Sequence, residues 1–161
     1  AIRYPRGRGI DVPLATGLHQ LPIGKAEIIR QGEDIVIIGI GSTVMPSLEA
    51  AEHLALGGID AMVINARFAK PLDTELILDV ANYTKKMVIV EENILSGGFG
   101  AAVLELLEKA EASDVKVRRL GIPDEFVTHG KQDFLRSLYQ LDAPGIAKEC
   151  ADFLAQVQAK V

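Results

Sequence analysis

Apolar and polar positions alternate in blocks along most of the chain. Asp34–Ile40 reads Asp-Ile-Val-Ile-Ile-Gly-Ile, a β-branched run without a polar break. Such a run predicts a strand buried on both faces. Ala61–Asn65 and Met87–Val90 repeat the pattern, and Val115–Leu120 predicts a further strand. Lys25–Arg30 mixes charge with Ile28 and Ile29 and predicts an edge strand, ended by Gln31-Gly32.

Helical spacing fills the intervals. Met45–Leu56 predicts a helix with Pro46 in its first turn and Leu48, Ala51, Leu54 and Ala55 on its inward face; Gly57-Gly58 stops it. Asp73 predicts an N-cap for a helix running to about Tyr83, with Leu76, Ile77, Val80 and Ala81 facing inward. Gly100–Ala110 predicts a helix that buries Val103, Leu104 and Leu107. Lys131–Leu138 predicts a short helix, and Pro144–Gln158 an amphipathic one with Ile146, Cys150, Phe153 and Val157 in line.

Strands that alternate with helices imply right-handed crossovers and a mostly parallel sheet covered on both faces. The predicted fold is therefore α/β, a three-layer α/β/α sandwich. Ligands of such sheets gather outside the carboxyl ends of the strands. Here that edge holds Gly39–Thr43, Asn65–Lys70, Glu91–Gly98 and Gly121–Asp124.

Residues 1–22 follow a different rule. Pro5, Pro13 and Pro22 with Gly7, Gly9 and Gly17 predict an extended linker after a short strand at Ala1–Tyr4. Arg3, Arg6 and Arg8 make the segment locally basic. The predicted organisation is a strand and linker over 1–22 and one domain over 23–161.

Composition narrows the function classes. The chain has 161 residues, 48% of them hydrophobic, enough for a sizeable core built from aliphatic side chains, since Trp is absent. A net charge of −5 and a pI near 5.2 argue against a general nucleic-acid binder. The one cysteine, Cys150, excludes an internal disulfide framework and fits a reducing cytoplasm. No apolar run approaches the roughly 20 residues that span a bilayer. No secretory signal pattern is present, and a start without Met, directly in a predicted strand, predicts a beginning inside a longer polypeptide.

Each polar motif supports two readings. Gly39-Ile40-Gly41-Ser42-Thr43 sits between a strand and a helix like a dinucleotide loop, but Val44 holds the third glycine position and Pro46 removes a nearby donor. The simpler reading is a plain strand-to-helix turn. Arg67, at a strand end, offers a planar fork suited to a phosphate monoester, or it is a surface cation paired with a carboxylate such as Asp73. Glu91 and Glu92 are adjacent on a strand and point to opposite faces, which favours structural or interface roles over a shared proton. Ser96-Gly97-Gly98-Phe99-Gly100 either cradles an anion at a helix start or allows close helix–sheet packing. His19, His53, His129 and Cys150 have no metal-ligand spacing.

Several stretches, taken together and in order, resemble the C-terminal part of the 1-deoxy-D-xylulose-5-phosphate synthase family of the transketolase superfamily. They are Arg3–Gly7, Leu21–Ala26, Asn65–Asp73, Val90–Gly100, and Leu120–Phe126 with His129-Gly130. The resemblance implies a transketolase-type C-terminal domain, preceded by the last strand of a pyrimidine-binding domain. It implies an enzyme that joins pyruvate to D-glyceraldehyde 3-phosphate with loss of CO2, for isoprenoid precursors.

Thiamine diphosphate and magnesium would be held by the rest of the full-length polypeptide. The resemblance places no catalytic, cofactor-binding or metal-binding residue in this chain. It assigns the acceptor's phosphate to Arg67 and Arg3, with Arg6 either sharing the anion or supporting the loop. It further implies a cytoplasmic homodimer and a domain that is silent alone. The rival readings are the corresponding domain of another transketolase-like or 2-oxoacid dehydrogenase E1 β subunit, and a free-standing assembly domain.

Overall fold

The computed structural model describes residue 17 and residues 20–159. Five strands form one sheet, numbered β1 (Glu27–Arg30), β2 (Ile35–Gly39), β3 (Ala61–Asn65), β4 (Lys86–Ile94) and β5 (Lys116–Ile122). The order across the sheet is β1-β3-β2-β4-β5. β1 is antiparallel to β3, and the other pairings are parallel.

β2 and β3 read in sequence as continuous apolar runs because they lie inside the sheet. Every residue of β2 is buried, and so are the first four residues of β3. The helices are α1 (Val44–Leu56), α2 (Thr74–Thr84), α3 (Phe99–Lys109), α4 (Gln132–Leu138) and α5 (Ala143–Gln158). On one face, Ala50, Ala51 and Leu54 of α1 and Ile146, Cys150 and Phe153 of α5 close over Ile35, Ile37, Val63 and Val88. On the other, Ile77 and Val80 of α2 and Val103 and Leu107 of α3 cover Val36, Ile38, Ile64 and Ile89. This is the predicted three-layer sandwich.

Local signals set the element ends. Asp73 caps α2 by accepting from the Leu76 amide at 3.3 Å. Asp142 caps α5 through the Gly145 amide at 3.0 Å, with Pro144 in the first turn. Arg118 of β5 reaches Glu149 of α5 at 2.8 Å and lies over the Phe153 ring, fastening that helix to the sheet edge.

Three expectations need correction. Ala55 is exposed, and the inward face of α1 runs instead through Val44, Ser47, Ala50, Ala51 and Leu54. A polar residue can point inward there because the Ser47 hydroxyl donates to the Thr43 carbonyl at 2.8 Å. Leu104 of α3 is exposed rather than buried. β4 runs past Val90 to Ile94, carrying Glu91, Glu92 and Asn93 inside the strand. The predicted strand at Ala1–Tyr4 and most of the linker lie outside the described residues.

Candidate functional site

The crossovers fix where the strand ends meet. From β2 the chain crosses through α1 to β3 on one side, then through α2 to β4 on the other side of β2. The crevice between the carboxyl ends of β2 and β4 is thus the topological switch point, where such folds most often bind ligands.

Here the chain bonds to itself across that point. The Thr43 hydroxyl donates to the Val90 carbonyl at 2.8 Å, and the Ile40 amide donates to the same carbonyl at 3.2 Å. Ser42 donates to Glu92 at 2.5 Å, and Arg136 of α4 donates to the other Glu92 oxygen at 2.9 Å. Burial alone would raise the Glu92 pKa; hydrogen bonds from Arg136 and Ser42 outweigh it and hold the carboxyl below its ordinary value. Gly39 serves packing, since a β-carbon there would meet Ser47 Oγ and Val44 Cα at 3.1 Å. The Gly-rich turn is therefore a close strand–helix contact with committed hydroxyls, and the dinucleotide reading has no support in it.

One strand position further back, Glu91 is 1% exposed. It accepts from the amides of Phe99 at 2.7 Å and Gly100 at 2.8 Å, the first residues of α3. A helix start concentrates free N–H groups and positive potential, so it stabilises an anion. The anion here is the chain's own carboxylate. A β-carbon at Gly98 would collide with that carboxylate and with the Ile94 carbonyl. Both readings of Ser96–Gly100 thus hold at once: the loop cradles an anion, and the anion is internal.

Arg67 lies beyond the end of β3 in the left-handed backbone region, with φ 56°. Few residues other than glycine adopt that region. The Asn65 side-chain carbonyl accepts from the Arg67 amide at 3.0 Å and holds the turn. The guanidinium is 22% exposed and pairs through Nη2 with Glu27 of β1. The partner is not Asp73, which is occupied elsewhere: it accepts from the Ala26 amide at 3.0 Å, from Leu76, and from Lys25 at 3.4 Å. Burial would raise the Asp73 pKa, but the Ala26 and Leu76 amides and the Lys25 ammonium win and lower it. Asp73 thereby pins Lys25-Ala26, just ahead of β1, to the start of α2.

The structure therefore brings Arg67 to the carboxyl edge with a partly open guanidinium. Arg3 and Arg6 lie outside the described residues. Sequence reasoning missed Glu27 and Arg136. Glu27 is visible only through register, because antiparallel pairing sets it opposite Asn65. Arg136 belongs to a short helix whose contact with β4 has no local signal.

Among the described residues, no group of three or more His, Cys, Asp or Glu side chains could hold a metal ion. The Ser42 and Thr43 hydroxyls of the Gly39–Thr43 turn are bonded within the chain, and Gly39 packs against Ser47 and Val44. The described residues thus do not match a divalent metal with a bound diphosphate. No helix among them is long and apolar enough to cross a membrane.

Comparison with known proteins agrees with this architecture. Residues 24–146 match the family described as transketolase, C-terminal domain. The chain is 55% identical over 154 residues to 1-deoxy-D-xylulose-5-phosphate synthase 1 of Geobacter metallireducens, covering 96% of this chain and 25% of that protein. It is 49% identical over 146 residues to the synthase of Halothermothrix orenii, covering 91% of this chain and 23% of that protein. The chain thus spans about a quarter of the length of these curated relatives.

Among solved structures, a split-gene transketolase described as an inactive β4 tetramer superposes with a TM-score of 0.77 at 30% identity, over 84% of this chain and 44% of that one. A Pichia stipitis transketolase solved with sedoheptulose 7-phosphate superposes at 0.55 with 19% identity, over 84% of this chain and 19% of that one; this likeness bears on fold alone. The sheet order, the matched family and the identity to the synthases converge: the chain belongs to the transketolase C-terminal domain family, on its 1-deoxy-D-xylulose-5-phosphate synthase branch.

Proposed function

We propose that this chain is the C-terminal domain of a 1-deoxy-D-xylulose-5-phosphate synthase and supplies the acceptor's phosphate site. The full-length enzyme would condense pyruvate with D-glyceraldehyde 3-phosphate, releasing CO2, as part of isoprenoid precursor synthesis in a reducing cytoplasm. Thiamine diphosphate and its divalent metal supply the carbanion chemistry when bound, and the rest of the polypeptide holds them. The domain over 23–161 follows a linker and a last strand of the preceding domain over 1–22.

The observation that carries this reading is the Arg67 guanidinium. It stands at the carboxyl edge, partly open and held, among the described residues, by a single exposed carboxylate. The left-handed conformation recurs at Lys85, Glu111 and Gln140, so what sets Arg67 apart is the place of its guanidinium at the carboxyl edge. Arg67 would bind the phosphate with Arg3, and with Arg6 sharing the anion or supporting the loop. A phosphate remote from the reacting carbon gives binding energy that positions the aldehyde. The chain's own work is binding and orientation, so the isolated chain should not turn over.

A second surface supports a contact role. Phe126, Phe134 and Leu138 are exposed, within the segment from β5 through α4. Large apolar side chains left open along one segment fit a surface that binds protein. We assign this segment to contact with the rest of a homodimeric enzyme.

Steady-state kinetics of the full-length enzyme tests the phosphate site. Arg67→Ala should lose about 2–4 kcal/mol in kcat/KM for glyceraldehyde 3-phosphate, the scale of a truncated charge pair, with the KM for pyruvate unchanged. Wild-type kinetics in the variant would remove Arg67 from the site.

A further inference from the structure

Arg67 does not meet solvent alone, and its partner is placed by the sheet. β1 is the antiparallel strand, so its first residue stands at the same edge as the loops after the parallel strands. Register sets Glu27 opposite Asn65, and the Asn65 side chain holds the Arg67 amide. Backbone pairing therefore fixes carboxylate and guanidinium from both sides. The contact with Glu27 uses Nη2, whereas a guanidinium carries further donors on its other nitrogens. Glu27 is 47% exposed, so releasing it to water costs little. The nearby acids do not compete, because Lys25 occupies both Asp73 and Glu75.

We infer that Glu27 sets an anion threshold at Arg67, excluding monoanionic carboxylates and yielding to a phosphate monoester, and so determines acceptor specificity. The inference rests on the reading of Arg67 as the phosphate site. That enzyme would handle two anionic substrates, a carboxylate on pyruvate and a phosphate on the aldehyde. A free carboxylate that displaced Glu27 would exchange like for like and would still lose its translational freedom. A phosphate brings a charge near −2 and three acceptor oxygens to the fork, enough to replace a one-point contact. Glu27 thereby weakens all anion binding somewhat and weakens carboxylate binding below use.

The test uses the full-length enzyme with glyceraldehyde 3-phosphate or unphosphorylated D-glyceraldehyde as acceptor, and acetate as the carboxylate probe. Glu27→Gln keeps the shape and an acceptor oxygen but removes the charge. It should lower KM for the phosphorylated aldehyde about 3- to 10-fold, the scale of one like charge at close range in a wet site. It should leave KM for D-glyceraldehyde unchanged and make acetate a competitive inhibitor against the acceptor. Glu27→Asp should restore resistance to acetate, which a merely structural role would not predict.

An unchanged or raised KM for the phosphorylated aldehyde in Glu27→Gln, with acetate still inert, overturns the inference. Arg67→Ala separates the two failures. If it abolishes the preference for the phosphorylated aldehyde while Glu27→Gln changes nothing, the threshold is wrong and the phosphate site stands. If Arg67→Ala keeps the wild-type preference, the site itself is wrong and the threshold falls with it.

Discussion

Two charged side chains stand at strand ends of one sheet, with β2 between their strands, and the chain treats them in opposite ways. Glu91 of β4 is shut in, with both oxygens bonded to the first amides of α3. Arg67, beyond β3, is partly open and leans on one exposed carboxylate from the sheet's edge strand. A buried charge must be fully satisfied by the protein, which leaves nothing for a ligand. A charge whose one partner among the described residues is an exposed carboxylate keeps further donors for exchange. The glycine-rich loop, read in sequence as either an anion cradle or a packing turn, is already occupied from within, and the open cation lies two strands away.

Substitutions at the two ends should therefore fail in different assays. The largest loss of stability is expected at Glu91. Glu91→Ala strips the anion from two buried amides and should cost about 3 kcal/mol of unfolding free energy in urea titrations. Arg67→Ala should cost about 1 kcal/mol or less in the same titration, because its pair is partly exposed, while crippling use of the phosphorylated acceptor. Equal losses of stability at both positions would erase the contrast.

Asp73 lies between these extremes, since it caps α2 as Glu91 caps α3 but also takes a lysine. Asp73→Ala should cost about 1–2 kcal/mol, as removal of a helix cap does. The Asp73 pKa is depressed in the folded state. Its contribution is therefore complete above an unfolded carboxyl pKa of about 4 and fades as pH falls through the lower folded value. The stability gap between wild type and Asp73→Ala should narrow below about pH 4. A gap that widens there would mean the carboxylate is not stabilised as described.

Much of the fold was legible because β2, β3 and the first half of β4 are buried on both faces. Their apolar runs have no other use than as central strands. The phase of α1 was harder to read, since Ser47 turns inward and satisfies itself on the preceding turn. Counting only apolar positions placed Ala55 inside. The extension of β4 was hidden for a related reason: Glu91 looks like a strand end until a helix start supplies its partners.

At the candidate site, the position of Arg67 followed from the strand-and-loop pattern, and its proposed role rests on the resemblance. Its partner did not follow, because the choice between Asp73 and Glu27 depends on cross-strand register. Local spacing suggested the nearer acid. The sheet delivers the one from the edge strand.

The most direct test of the contrast is a crystal structure of the full-length protein soaked with glyceraldehyde 3-phosphate. The account predicts phosphate density on the Arg67 guanidinium, Glu27 turned away, and Glu91 still bonded to Phe99 and Gly100. Phosphate bound instead at Ser96–Gly100, with Glu91 displaced, would contradict it.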